Sequence, residues 1–106
     1  MSDTTHRNSV NQRSFGSSKE LVDYCKPIEQ GWFRCQAIAI GAAKLDPEQC
    51  EIACRAAVKA AQSESDAYRQ VTPLAWPIEA LASVGLVKQA HRLADEALSL
   101  AMTITP

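Results

Sequence analysis

Apolar and polar residues recur along this chain at helical spacing, most plainly between Gly31 and Ala61. Past Asp46-Pro47, the residues Cys50, Cys54, Ala57 and Ala61 fall about one turn apart, with Ala53, Ala56 and Ala60 beside them. Glu48, Glu51, Arg55, Lys59 and Gln62 take the other side. Asp46 can accept from the free N–H groups of a starting helix, and Pro47 lacks the N–H that would be orphaned there. Gln49 stands where a capping box would close. A helix is therefore predicted to begin at Pro47. The segment before this hinge, Ala37 to Ala43, is apolar all the way round, so it must be covered on more than one side. An antiparallel helical hairpin follows, with neighbours packed on its first helix.

A weaker copy of this pattern runs from Tyr68 to Ala101. Leu74, Trp76, Ile78, Leu81, Ala82 and Val84 carry the burial of its first helix, and Pro73 and Pro77 predict either a kink or a start at Thr72-Pro73. Gly85 closes that helix. Leu86, Val87, Ala90, Leu93, Ala94, Ala97, Leu98 and Ala101 then mark the cleanest amphipathic helix of the chain. Upstream, Ser17-Ser18 caps a short opening helix carrying Leu21, Val22, Tyr24, Cys25 and Ile28. Residues 1–17 are rich in Ser, Thr, Asn, Gln and Arg and are expected to remain a disordered polar tail, with Phe15 as the anchor if they order on a partner. The expectation is an all-α domain over residues 18–106, about five helices with two antiparallel hairpins stacked as a short right-handed αα-solenoid.

One shift of the sequence lays Ala53, Ala57 and Ala60 on Ala90, Ala94 and Ala97, and Ala43 on Ala80. Leu81, Gly85, Ala90, Ala97 and Leu98, in the string ALASVGLVKQAHRLADEALSL, resemble the second half of a tetratricopeptide-type repeat. The resemblance implies a tetratricopeptide-like or HEAT-like helical pair and a non-enzymatic protein-interaction role. It also implies a groove lined by the first helix of each pair, at Cys35, Ile38 and Ala42, then at Thr72, Ala75, Glu79 and Ser83. Trp32 and Trp76 are candidate interface anchors, since tryptophan dominates binding hot spots; as aromatics at helical joints they also suit a core.

Composition narrows the remaining classes. With 46% hydrophobic and 22% charged residues in 106, the chain is an ordinary globular domain, and its net charge of -1 gives no basic field for nucleic acid. No run of eighteen apolar residues is present and the N-terminus is polar, so a cytoplasmic protein off the membrane is expected. Much of the apolar content is alanine, which removes little area per residue; a homodimer through the end helices would add what a small core lacks. Four cysteines without an export signal suit reduced thiols. Cys25, Cys35, Cys50 and Cys54 define the alternative class, a metal-binding or thiol redox protein. Against that, their spacing is not that of a zinc knuckle, and free cysteine is among the most buried residue types. No nucleophile elbow, H-E-x-x-H helix or glycine-rich phosphate loop occurs, so neither an enzyme nor a cofactor is expected.

Overall fold

A computed structural model of the chain describes residues 2–104, and among these every regular element is helical. The elements are α1 (Asp3–Ser9), a 3₁₀ turn (Val10–Gln12), α2 (Ser18–Cys25), α3 (Gly31–Ala42) and α4 (Pro47–Gln62). After these come α5 (Ala67–Val71), a second 3₁₀ turn (Thr72–Leu74), α6 (Ala75–Ser83) and α7 (Val87–Ala101). No helix among the described residues is long and apolar enough to cross a membrane. Thr105 and Pro106, the last residues of the expected 18–106 domain, lie outside them.

Helices α3 and α4 make the most extensive packing, α6 lies against both, and α7 lies on α6. The result is a slab only 16 Å in its thinnest extent. Asp46 accepts from the Gln49 N–H at 3.0 Å with Pro47 at the first turn, so α4 starts where its sequence signals place it. Gln49 does not turn back to close a capping box. Its Oε1 accepts from the Ser18 N–H at 2.8 Å and ties the start of α4 to the start of α2.

The N-terminus of α3 has no side-chain cap of its own. Two distant acids serve instead. The Asp3 carboxylate accepts from the Glu29 and Gln30 N–H groups at 3.2 and 3.0 Å, and Glu64 Oε1 accepts from the Trp32 N–H at 3.0 Å. Both charges sit at the positive end of the helix dipole. Close approach depends on two glycines. A Cβ at Gly31 would run into the Ala60 carbonyl oxygen and the Ser63 hydroxyl, and one at Gly41 would run into Leu21. The apolar segment of α3 is thereby enclosed, with Ala37, Ile38, Ala39 and Ala42 buried.

The N-terminal segment departs from the expected solvated tail. Val10 is fully buried, Arg7 Nη1 donates to the buried Gln36 Oε1 at 2.8 Å, and the Arg7 guanidinium lies 5.2 Å from the centre of the Phe33 ring. His6 lies edge-on to Tyr24 with Nε2 at 2.7 Å from the Tyr24 carbonyl oxygen. Phe15 packs against the same tyrosine ring, at 5.5 Å between centres. Few of these residues are apolar; hydrogen bonds and stacking, which hydropathy does not register, seat the segment on α2 and α3.

Beyond the five expected helices stand α1 and the short α5. The prolines account for the second. Pro73 falls in the 3₁₀ turn and Pro77 in the first turn of α6, so the missing N–H groups fall at the starts of short elements and the chain tightens between α5 and α6 without breaking. Gly85, at φ 88°, ends α6: Leu86 N–H bonds to Leu81 O at 2.9 Å and Gly85 N–H to Ala82 O at 3.1 Å. That pattern is a Schellman motif with glycine in the left-handed position.

Candidate interaction surface

The residues expected to line a partner groove divide into two sets. Cys35 and Ile38 are buried beneath neighbouring helices, as is Ala42, and none can meet a partner while the fold is closed. Their assignment to the groove is corrected: α3 turns a different face outward. Trp32 is half-buried and stacks on Phe33 at 6.3 Å between ring centres, a joint-filling role. Thr72 is exposed, but its hydroxyl donates back to the Tyr68 carbonyl at 2.5 Å.

Trp76, Glu79 and Ser83 do converge. Projecting from successive turns of α6, they form one wall of a groove of about 360 Å³ whose other wall is Ile40, Ala43 and Lys44 at the end of α3. Ala39 and Ala80 form its floor, and Asn11 from the first 3₁₀ turn closes one end. Lys44 Nζ donates to the Asn11 carbonyl at 2.8 Å, so the N-terminal segment helps to set the groove's shape. Trp76 remains 40% exposed, with its indole at the rim of an alanine floor. Sequence reasoning missed Ile40, Lys44 and Asn11. Because α3 is apolar all round, its periodicity carries no phase to say which face is outward.

Three of the four cysteines form a seam. Cys35 on α3 and Cys54 and Cys50 on α4 direct their thiols at the backbone carbonyls of Pro73, Pro77 and Ala80, at 3.7, 3.8 and 3.7 Å. Those carbonyls lie one turn apart along the proline-containing segment. Pro77 has no N–H to give the Pro73 carbonyl four residues before it, and the Cys35 thiol donates there. Burial pushes the Cys35 and Cys25 thiols up to about 12 from an ordinary value of 9.0, and raises Cys54 and Cys50 as well. A thiol that keeps its proton at neutral pH is neither a ready nucleophile nor a ready metal ligand. The Sγ atoms of Cys50 and Cys54 are 4.0 Å apart, and among the described residues no three His, Cys, Asp or Glu side chains are grouped to hold a metal ion. In the seam each sulfur fills the space of a small apolar group and offers a weak donor to a carbonyl ridge.

A second groove, about 620 Å³, opens between α4 and α7 with α6 beneath it. Val58, Leu81 and Leu93 lie in it, and Glu51, Arg55, Lys59, Arg92 and Glu96 border it. Its rim mixes both signs of charge, and it lacks an exposed aromatic anchor. Compared with family models, with curated proteins and with solved structures, the chain finds no match in any of the three.

Proposed function

We propose that this chain is a non-enzymatic protein-interaction module of tetratricopeptide-like or HEAT-like build, its two helical pairs stacked as a short right-handed αα-solenoid. Its partner, another protein or a peptide, docks along the α3/α6 groove. The observation that carries the reading is Trp76, a large aromatic left partly open to water on a floor of alanines. A flat apolar floor with an aromatic at its rim suits an apolar side chain, while Glu79, Ser83 and Lys44 offer one acid, one hydroxyl and one base to fix its orientation. Four unpaired buried thiols suit a reducing compartment, which supports action in the cytoplasm.

Affinity capture with immobilised protein, read by mass spectrometry, tests the reading. A protein retained by the wild type and by Leu98→Asp, but lost with Trp76→Ala and with Glu79→Lys, is the expected result. Circular dichroism shows that the variants remain folded. A set of retained proteins that is the same for wild type and Trp76→Ala refutes the groove.

A further inference from the structure

The N-terminal segment folds down on α2 and α3 through one face. Asp3, His6, Arg7 and Val10 recur at helical spacing and turn inward, while Thr4, Thr5, Asn8 and Asn11 are exposed. Each inward residue makes its own contact. The Asp3 carboxylate holds the Glu29 and Gln30 N–H groups, His6 reaches the Tyr24 carbonyl at the end of α2, Arg7 spans Phe33 and Gln36, and Val10 is buried. Val10 is the one apolar side chain among residues 2–12, so the hold of this strap is mostly polar. Its bonds at Asp3 and at the Asn11 carbonyl face solvent, where water competes for the same groups.

The strap runs along one row of α3. Phe33, Gln36, Ile40 and Lys44 lie within about 80° of one another at 100° per residue. Arg7 meets Phe33 and Gln36, and Asn11 stands at Lys44 and Ile40. Ile40 and Lys44 are also a wall of the Trp76 groove. The groove is therefore the uncovered end of a longer surface, about 16 Å from Phe33 to Lys44 at 1.5 Å per residue, and the strap lies on the rest. Residues 13–17 carry no helix, and within them Arg13 and Phe15 pack on the Tyr24 ring. They form a pivot that stays on α2 when the strap swings away.

We infer that residues 3–12 are an autoinhibitory strap, occupying the first part of the partner site on α3 until a partner presenting the same face displaces it. The inference rests on the groove reading above and adds its regulation. The strap's own contacts define the chemistry of what replaces it: a short helix parallel to α3, with a carboxylate at its start, a guanidinium one turn on and a branched apolar side chain one turn further. A partner helix longer than the strap continues past the position of Asn11 onto Trp76. Those added contacts supply the differential affinity that displacement requires.

Hydrogen exchange of the full chain, read amide by amide by NMR in rising urea, tests the strap with no partner present. The amides of Arg7 to Val10 and of Gln30 exchange through one shared opening, about a hundredfold more often than those of Ala53 to Ala61 in α4. Their urea dependence is shallower, because little surface is exposed. Val10→Asp ejects the strap and leaves α4 protected. The resonances of Phe33, Gln36, Ile40 and Lys44 then shift, and a synthetic peptide of residues 2–13 at millimolar concentration returns them toward their wild-type positions; the same peptide with Arg7→Ala and Val10→Ala does not. A protein captured through Trp76 is held about tenfold more tightly by Val10→Asp than by the wild type. Strap amides that follow the urea dependence of α4, a Val10→Asp chain that unfolds, a peptide that moves no resonance, or a captured protein held equally by both chains would each overturn the inference. A capture in which both chains retain nothing counts against the groove reading alone, and the exchange and peptide results still decide whether the strap detaches.

Discussion

Replacing Gly41 with alanine places a methyl group where the Leu21 side chain already sits. On an isolated helix that change stabilises by about 1 kcal/mol, because alanine has less backbone freedom to lose. In the fold, Leu21 is fully buried and the space around Gly41 is closed. Overpacking such a site costs about 1–3 kcal/mol, so the net effect is a loss of roughly 1 kcal/mol. Leu21→Ala alone opens a cavity and costs about 2–5 kcal/mol. The double variant costs less than the sum: the alanine methyl at position 41 fills part of the space that Leu21 leaves, and the helical gain survives. The expected coupling is about 1–3 kcal/mol in the favourable direction, within the range for touching residues. Urea unfolding of the four proteins, followed by far-ultraviolet circular dichroism, measures it. Additivity within about 0.5 kcal/mol, or a Gly41→Ala protein stabilised by the full helical gain, would refute the seating of α2 on α3.

The buried thiols predict an alkaline limit. Their folded values lie above the ordinary 9.0, so the fold holds protons that the unfolded chain releases. The stabilisation is complete below pH 9 and is lost as pH rises toward about 12, with each such thiol adding about 1.4 kcal/mol per pH unit to the slope. Urea midpoints measured from pH 8 upward should fall steeply, and Cys35→Ala should make that fall shallower. Asp3→Ala removes the distant cap of α3 and is expected to cost about 0.5–2 kcal/mol, with faster amide exchange at Glu29 and Gln30 as the local signature. An unchanged midpoint and unchanged exchange would mean that the N-terminal segment does not hold that helix end.

The hinges were legible because their signals are local. Asp46-Pro47 sets the start of α4, Gly85 the end of α6, and the regular stripe of α7 its length; each depends on residues within a turn or two. What failed depends on residues far apart in the chain. Gln49 was expected to serve its own helix, and its amide oxygen went to Ser18 instead. Asp3 and Glu64 cap a helix whose own sequence carries no capping residue. The groove was half legible for the same reason. On α6, Glu79 and Ser83 alternate with buried Ala80 and Leu81 and fix the outward face. On α3, nothing polar marks the phase between Cys35 and Ala43 except Gln36, whose partner Arg7 lies in a segment expected to be solvated. The width of the apolar arc of α7 could be read from the sequence; which half of it lies open required the position of α6.

The central claim is that α3 and α4 close over α6 along a seam in which thiols meet backbone carbonyls, so that the cysteines serve packing and not chemistry. Thiol titration with an aromatic disulfide reagent, on the native protein at neutral pH and again in denaturant, tests it most directly. The account predicts that none of the four thiols reacts over minutes in the native state and that all four react once the chain unfolds. Rapid modification of Cys50 or Cys54 in the folded protein would contradict it.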